Sequence, residues 1–245
     1  MDLVNDETHK PPSAHPRLET LRAVFFDFGD TLVSLSPAKE ELFVEAARSV
    51  GLALSLAAVK RAYQIVDFHH KYSSVHLKDR AGFYRSYNQQ LCEAMGISSH
   101  FNELQPELVA HFRDNKRWQS LEDVPQILSR IQQSGIPLGL IANWNRDLPG
   151  LAEQLGVRQF FATIVSSQEA GVEKPDPAIF ERALGDLALS VENETVLYVG
   201  NEYSADVLGA RGAGLTPVLI DRNGLYPHAD CLCYGSLLQW SMAMF

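Results

Sequence analysis

A short apolar run near the start of the chain ends abruptly in polar residues, and this change limits what the chain can fold into. The run Arg22-Ala-Val-Phe-Phe26 is followed at once by Asp27-Phe-Gly-Asp-Thr31. A short continuous apolar run is typical of a strand that is buried on both faces of a parallel sheet. Ligands bind such sheets at the carboxyl ends of the strands. The sequence therefore predicts that Asp27 lies at the ligand-binding edge of an α/β protein.

Similar runs recur in the second half of the chain, and helical patterns separate them. The candidate strands are residues 137–142, 161–165, 195–199 and 217–220, and the candidate helices are residues 123–133, 148–155, 176–187 and 205–212. Strands that alternate with helices predict a parallel sheet with helices on its faces. We therefore expect an α/β fold with a doubly wound, Rossmann-like parallel sheet.

The stretch from about residue 36 to residue 118 differs in character. Helical spacing of apolar residues dominates it, and the stops Gly51, Gly82, Gly96 and Pro106 divide it into segments. This pattern predicts an all-helical cap domain inserted into the α/β fold. The expected organisation is a flexible leader at residues 1–20, an α/β core made of residues 21–35 and 119–245, and a helical cap at residues 36–118.

Charge and composition argue against several kinds of partner. The net charge of −9 does not suit a protein that grips nucleic acid, because phosphate binding requires clustered lysine and arginine. No apolar run approaches the roughly 20 residues of a membrane-spanning helix, and the polar start lacks the apolar stretch of a secretory signal. Three cysteines are too few for a disulfide framework. We expect a cytoplasmic protein without nucleic-acid or membrane partners, and the sequence leaves its oligomeric state open.

Polar residues follow the later candidate strands just as they follow the first. They are Asn143, Ser166-Ser167, Gly200-Asn201-Glu202 and Asp221-Arg222, and Lys174 comes a short loop after the serines. Because the carboxyl ends of parallel strands meet at one edge of a sheet, these side chains should lie near Asp27. Carboxylates, amides and one lysine at one point predict a site for a metal ion together with a phosphate or similar anion.

Four segments resemble, in order, the motifs of the haloacid dehalogenase (HAD) superfamily, in the subclass with a helical cap after the first motif. They are Val24-Phe-Phe-Asp-Phe-Gly-Asp-Thr31, Leu138-Gly-Leu-Ile-Ala-Asn143, the stretch from Ser166 to Phe180 that contains Lys174-Pro175, and Val199-Gly-Asn-Glu-Tyr-Ser-Ala-Asp206. The resemblance covers residues 22 to 222. It implies a hydrolase whose partner is a small-molecule substrate, above all a phosphorylated one.

The resemblance also implies a role for each matched residue. Asp27 stands where the family has its nucleophile, which forms a covalent aspartyl intermediate that water later hydrolyses. Lys174 stands at the family's lysine, which offsets the repulsion between that carboxylate and an anionic substrate. Thr31 and Asn143 match positions that steady the nucleophile loop and bind the transferring group. Mg²⁺ is the implied cofactor, and the candidate metal-site residues are Asp27, Gly29, Asn201, Glu202 and Asp206.

Three matched positions differ from the phosphatases of the family. Gly29 replaces a second aspartate that serves as general acid and base, and losing such help costs about 10²–10⁴-fold in rate. Ala142 replaces a serine or threonine that hydrogen-bonds the phosphoryl group. Asn201 replaces an aspartate that binds Mg²⁺, and an amide brings no charge to the cation. The carboxylates of Asp30 and Glu202 stand next to the changed positions and are candidates to compensate.

These differences leave three functions open. The first is a phosphatase that acts on a small phosphorylated metabolite through an aspartyl-phosphate at Asp27. The second is a 2-haloacid dehalogenase, a branch that also lacks the second aspartate and needs no Mg²⁺. That branch has an arginine early in its helical insert, in an aromatic-rich segment, whereas Arg48 lies in an alanine-rich one. The third is a protein that has the fold but uses the cleft for binding only.

Overall fold

The computed structural model describes residues 18–70, 80–113, 115–191 and 195–245. The expected leader at residues 1–20 lies outside the described residues except for Leu18–Thr20, which form one 3₁₀ turn.

The described chain alternates between helices and strands for most of its length. The strands are β1 (Leu21–Phe26), β2 (Val33–Leu35), β3 (Trp118–Ser120), β4 (Leu138–Ala142), β5 (Phe161–Ser166), β6 (Thr195–Gly200), β7 (Thr216–Ile220) and β8 (Leu232–Tyr234). The helices are α1 (Lys39–Ser49), α2 (Leu56–His70), α3 (Arg80–Ala94), α4 (Phe101–Arg113), α5 (Val124–Gln133), α6 (Leu148–Gln154), α7 (Ser167–Ala170), α8 (Pro177–Asp186), α9 (Leu208–Gly212) and α10 (Leu237–Met244). A π-helical turn, Tyr203–Val207, leads directly into α9.

Within the described residues, six strands form one sheet in the order β5-β4-β1-β6-β7-β8, and each neighbouring pair is parallel. The first strand of the chain is therefore an interior strand, between β4 and β6. The register places Phe26 beside Leu140 of β4 and Val199 of β6. Residues that follow these strands consequently emerge together at one edge.

Side chains alternate between two faces of the sheet, and helices cover both. In β1, Val24 and Phe26 pack with α5, α6 and α10, whereas Ala23 and Phe25 pack with α8 and α9. All four of these side chains are fully buried. A parallel sheet covered on both faces is the doubly wound α/β arrangement that the sequence predicts, and the fold prediction is confirmed.

Helices α1 to α4 pack around a hydrophobic cluster of their own, which includes Phe43, Tyr63, Leu91 and Leu104. The chain enters and leaves these helices through a separate two-stranded antiparallel ribbon of β2 and β3. In the ribbon, Leu35 lies opposite Trp118. The sequence patterns do not predict this ribbon, because three residues are too few to show an alternation.

The chain continues beyond residue 220, which is the end of the last predicted strand. Strand β8 adds to β7 at the sheet edge, and α10 packs across the sheet with the indole of Trp240 fully buried. The rings of Trp240 and Phe26 meet edge to face at 5.7 Å between centroids. Among the described residues, no helix is both long enough and apolar enough to cross a membrane.

Candidate active site

Asp27 continues β1 at the carboxyl edge of the sheet. Its backbone N–H donates to the carbonyl oxygen of Val199 at 2.8 Å, so the sheet fixes its main chain. Its side chain is buried. The oxygen Oδ1 accepts a hydrogen bond from Nζ of Lys174 at 2.7 Å, and Oδ2 accepts one from the hydroxyl of Thr31 at 2.9 Å. The residue expected to be the nucleophile is thus a buried carboxylate with both oxygens held in place.

The turn after Asp27 brings Thr31 back onto it. The backbone of Asp30 takes a φ of 58°, a left-handed conformation that aspartate adopts more readily than most residues, and its N–H donates to the carbonyl oxygen of Val33 at 2.6 Å. The guanidinium of Arg222 fastens the turn by donating to the carbonyl oxygen of Thr31 at 2.9 Å. Thr31 is fully buried and Asp30 is exposed.

Lys174 lies at the centre of a buried hydrogen-bond network. Its ammonium donates to Oδ1 of Asp27 at 2.7 Å, to Oδ1 of Asp206 at 2.7 Å and to the hydroxyl oxygen of Tyr198 at 2.8 Å. A lysine ammonium has three hydrogens, so these three acceptors use all of them. Tyr198 is itself fully buried, and its hydroxyl lies 2.9 Å from the carbonyl oxygen of Ile141, to which it donates.

The Lys174 charge is stabilised by its two carboxylate neighbours. Burial by itself lowers the pKa of the amine, but the attraction of Asp206 and Asp27 outweighs burial and raises the pKa above its ordinary value. Lys174 is therefore charged at neutral pH. Burial, together with the same two carboxylates, raises the pKa of Tyr198 as well, so its hydroxyl stays protonated.

Asn143 holds the main chain of Lys174. Its Oδ1 accepts from the backbone N–H of Lys174 at 2.8 Å, and its Nδ2 donates to the carbonyl oxygen of the same residue at 3.0 Å. Both polar atoms of the side chain are thus directed at the lysine rather than at the cleft. These two contacts position the main chain of Lys174, and the substrate-binding role expected for Asn143 stays a prediction.

Asp206 connects Lys174 to the main chain that follows β6. Its Oδ1 accepts from Lys174, and its Oδ2 accepts from the backbone N–H groups of Asn201 at 3.0 Å and Glu202 at 2.9 Å. A Cβ at position 200 would overlap this carboxyl group, so Gly200 is what allows the close approach. Because both oxygens of Asp206 are engaged by groups of the protein, these contacts favour a supporting role over direct metal binding.

Three oxygens converge beside Asp27 at what we call the cation corner. It consists of Oδ2 of Asp27, the carbonyl oxygen of Gly29 and the side-chain amide of Asn201. With Oδ1 of Asn201 facing inward, that atom lies 3.2 Å from Oδ2 of Asp27 and 3.1 Å from the oxygen of Gly29. Adjacent oxygens around an octahedral Mg²⁺ with bonds of 2.0–2.1 Å are about 3 Å apart. The corner therefore has the spacing of a Mg²⁺ site when Oδ1 of Asn201 faces inward, whereas the orientation that satisfies the hydrogen bonds of the amide turns Nδ2 inward.

The charge of the cation corner is low for a metal site. Asp27 supplies its only carboxylate, and among the described residues no cluster of three histidine, cysteine or acidic side chains has the spacing to hold a metal. Glu202, expected to add a charge here, accepts a hydrogen bond from the hydroxyl of Ser204 at 3.2 Å. The corner thus combines the geometry of a magnesium site with a weak charge.

Two tryptophans close the space next to Gly29. The rings of Trp118 and Trp144 meet at 4.9 Å between centroids, and both are half-buried. A Cβ built on Gly29 would lie 3.4 Å from the ring of Trp144 and 3.7 Å from that of Trp118. Indoles therefore border the space into which a side chain at position 29 would extend. The nearby Ala142, at the end of β4, is buried and brings no hydrogen-bond donor in its side chain.

Sequence reasoning overlooked three side chains of this site: Tyr198, Trp118 and Trp144. Tyr198 stands inside the run Thr195-Val-Leu-Tyr-Val199, where a polar hydroxyl among aliphatic residues is a detectable exception. A buried tyrosine hydroxyl needs a partner, and that requirement is the signal that could have drawn attention to it. For the tryptophans no comparable signal exists, because their contact joins strand β3 to the loop after β4, and these segments are distant in sequence.

Comparisons with known proteins agree with this geometry. The family model of the haloacid dehalogenase-like hydrolases matches residues 21–214. The chain is 28% identical over 218 residues to haloacid dehalogenase-like hydrolase domain-containing protein 3 of Danio rerio, with 86% of this chain and 89% of that protein covered. It is 29% identical over 218 residues to the glyceraldehyde 3-phosphate phosphatase of Methanothermobacter thermautotrophicus, with 82% and 86% covered.

A solved structure shows the same fold. The HAD-hydrolase YfnB from Bacillus subtilis superimposes with a TM-score of 0.68 at 17% identity, with 91% of this chain and 97% of that chain covered. The family model spans most of the sequence, and its range includes Asp27, Asn143, Lys174 and Asp206. The protein therefore belongs to the haloacid dehalogenase-like hydrolases.

Proposed function

We propose that the protein is a phosphomonoesterase that hydrolyses a small phosphorylated metabolite through an aspartyl-phosphate at Asp27. The observation that carries the proposal is the bonding of the Asp27 carboxylate, which is buried at a strand end with Lys174 at 2.7 Å and Thr31 at 2.9 Å. A carboxylate that is held in place and partly neutralised can meet an anionic phosphate group. The phosphatase named among the relatives supports the same chemistry.

The reaction proceeds in two displacements. An oxygen of Asp27 attacks the phosphorus, and the bond to the leaving oxygen breaks, with the electron pair going to that oxygen. Water then attacks the phosphorus of the aspartyl-phosphate, the bond to Asp27 breaks, and inorganic phosphate is released with a proton passed to solvent. Lys174 keeps the nucleophile oriented and reduces its repulsion of the substrate, and Thr31 steadies the other carboxylate oxygen.

The residues that would hold Mg²⁺ are those of the cation corner, Asp27, Gly29 and Asn201. A bound magnesium ion supplies positive charge that offsets the negative charge of the phosphoryl group. The side chains of Lys174 and Thr31 act independently of it, because their contacts with Asp27 are formed by the protein alone.

The glycine at position 29 determines which substrates suit the site. No side chain at this position can give a proton to the leaving oxygen, so without a proton from Asp30 that oxygen leaves as an anion or takes its proton from water. Esters of acidic alcohols should therefore react well, and esters of ordinary alcohols poorly. Hydrolysis rates across a series of substituted aryl phosphates should fall steeply as the pKa of the alcohol rises.

The experiment that tests the proposal is phosphate release from p-nitrophenyl phosphate in the presence of Mg²⁺. We expect measurable turnover by the wild type, loss of it in Asp27→Asn, and retention in Asp147→Asn. Asp147 is an exposed aspartate in the loop after β4, so the control makes the same chemical change outside the site. Equal rates in the wild type and Asp27→Asn would refute the phosphatase.

The same preparations separate the other two functions. Halide release from 2-chloropropionate without metal would identify a dehalogenase, although Arg48 lies exposed in the last turn of α1. Absence of both reactions, with no effect of phosphate or Mg²⁺ on the melting temperature, would favour a protein that only binds.

The proposal includes the organisation expected from the sequence. Residues 36–118 would form the cap that supplies substrate contacts, and residues 21–35 and 119–245 the catalytic core. The separate hydrophobic cluster of α1 to α4 supports this division. The three cysteines are free thiols, which suits the reducing, cytoplasmic setting that we propose.

A further inference from the structure

The amide of Asn201 can be placed in two orientations related by a 180° turn, and they bring different atoms to the cation corner. With Oδ1 inward, three acceptor oxygens face one another at the corner, and Nδ2 faces only donors. With the amide turned by 180°, Nδ2 lies 3.2 Å from Oδ2 of Asp27, 3.1 Å from the carbonyl oxygen of Gly29 and 3.0 Å from the hydroxyl oxygen of Thr31, and its two hydrogens can be donated among these three acceptors. Facing acceptors are unfavourable unless a cation or a donor hydrogen lies between them.

We propose that Asn201 is a reversible latch that takes the place of the cation when no metal is bound. In the metal-free protein, Nδ2 points inward and its hydrogens bind the oxygens that would otherwise contact the metal. When a divalent cation binds, the amide turns and presents Oδ1 as a ligand. One side chain thereby serves both states of the site.

The surroundings allow the amide to turn without moving the main chain. The backbone N–H of Asn201 is fixed to Oδ2 of Asp206 at 3.0 Å, so the turn requires rotation only about side-chain bonds. Asn201 is half-buried rather than enclosed, which leaves room for that rotation. An aspartate at this position could not act in this way, because an ionised carboxylate has no hydrogen to donate.

The latch has two measurable consequences. The metal-free site is already bonded, so the protein does not depend on Mg²⁺ for its stability. Cation binding must break the amide hydrogen bonds and gains no charge from the amide, so it is weak. The inference concerns the site of the proposed function, but it holds whether or not phosphate esters are hydrolysed, and its test measures binding and stability.

The decisive comparison is between Asn201→Asp and Asn145→Asp. Both variants add one negative charge at the carboxyl edge of the sheet, but Asn145 is exposed and outside the corner. Without metal, Asn201→Asp should melt several degrees below Asn145→Asp at pH 8, because it removes the donor and adds a repelling carboxylate. By isothermal titration calorimetry, it should bind Mg²⁺ at least about tenfold more tightly than the wild type, since it adds a charged ligand.

Equal melting temperatures of the two metal-free variants, or equal Mg²⁺ affinities of Asn201→Asp and the wild type, would overturn the latch. A second measurement uses the wild type and does not depend on the variant folding. In ¹⁵N-asparagine-labelled, metal-free protein, the side-chain amide hydrogens of Asn201 should exchange with water more slowly than those of Asn145. The Asn201 signals are assigned by their loss in Asn201→Ser, and exchange as fast as at Asn145 would contradict the proposal.

Discussion

The two halves of the active site are bonded in different ways. Around Lys174, three acceptors use every ammonium hydrogen, and each oxygen of Asp206 has protein donors. At the cation corner and positions 29 and 142, the side chains other than Asp27 are small or neutral, and two indoles border the space. The first half is complete within the protein itself, whereas the second is satisfied only by a cation or by a turned amide. A site can thus keep its framework while its reactive groups change.

The largest effect should come from Lys174→Met, which removes the cation at the centre of the lysine half, that is, of the network of Lys174, Asp27, Tyr198 and Asp206. The variant leaves the buried carboxylates of Asp27 and Asp206 without their cation, which destabilises proteins by about 3–5 kcal/mol. Chemical denaturation should show this loss, and phosphatase activity should disappear. Lys60→Met, at an exposed lysine of α2, is the matched control and should change stability little.

The pH dependence of that effect follows from the raised pKa of Lys174. A group whose pKa is higher in the folded state stabilises the fold fully below its unfolded value, which is about 10.4 for lysine. The charged form of Lys174 should therefore contribute its stabilisation throughout the neutral range and lose it only as the pH rises through the raised value. A contribution that vanished between about pH 6 and pH 9 would contradict the charged network.

The half that contains the cation corner and Gly29 can be tested by introducing a carboxylate with Gly29→Asp. The new Cβ fits in ordinary contact with Trp144 at 3.4 Å and Trp118 at 3.7 Å, but the carboxyl group beyond it has these indoles as neighbours, so the single variant should gain little phosphatase activity. Combining it with Trp144→Leu makes room for the carboxylate and should raise the rate by at least about tenfold, a small part of what general acid–base catalysis supplies. The comparison is made on an ester of an ordinary alcohol, and Trp144→Leu alone is the control.

A gain in the single variant equal to that in the double variant would show that the indoles do not obstruct position 29. No gain in either would show that the site has lost the geometry for proton transfer. The two halves would then differ in the positions of their groups as well as in the size of their side chains.

A smaller effect is expected when one acceptor is removed from the lysine half with Tyr198→Phe. The change deletes the hydroxyl that accepts from Lys174 and donates to the carbonyl oxygen of Ile141, and such a loss costs about 1–2 kcal/mol. We expect kcat to fall while KM stays unchanged, since the lysine is less well oriented. Tyr84→Phe on the exposed face of α3 is the control, and equal stabilities of the two variants would argue that Tyr198 only fills space.

The smallest effect should come from an ion pair near the surface, away from both halves. Arg211 makes a two-pronged contact with Asp230 at 2.8 and 2.9 Å, and the hydroxyl of Tyr203 donates to Asp230 at 2.6 Å. The hydrogen bonds from Arg211 hold the pKa of Asp230 at about 2, below its ordinary 3.8. Asp230→Asn should cost about 1 kcal/mol at pH 7, because solvent screens a partly exposed pair.

The sign of the pH effect distinguishes this pair from the buried network. A carboxyl group whose pKa is lowered by folding stabilises the protein above pH 3.8 and loses that contribution as the pH falls through about 2. The difference between the wild type and Asp230→Asn, measured by urea denaturation, should therefore shrink across that acidic range. A difference that stayed constant would mean that hydrogen bonding by the neutral group is sufficient.

Much of the fold could be predicted from local patterns. Strand β4 and helix α5 begin and end within one residue of the predicted 137–142 and 123–133, because buried runs and amphipathic spacing are local properties. Strand β8 and helix α10 were not predicted, since a three-residue edge strand carries no periodicity. The order of the strands depends on contacts between distant segments, which no single run of residues contains.

For the site, position was more predictable than orientation. Asp27 and Lys174 are 147 residues apart and still meet at 2.7 Å, as the convergence of strand ends predicts. The same rule places Asn143 nearby but cannot show that its amide turns back to the Lys174 main chain. Which way an amide points depends on the loops around it, and the same limitation applies to Asn201.

The ribbon of β2 and β3 has an evolutionary consequence. The described chain leaves the α/β layers at Val33–Leu35 and returns beside them at Trp118–Ser120, so the two ends of the segment that contains α1 to α4 lie side by side. Such a segment can be lengthened, shortened or exchanged between lineages without altering the strand ends that hold Asp27 and Lys174. Related proteins could in this way differ in substrate specificity while they keep the same catalytic residues.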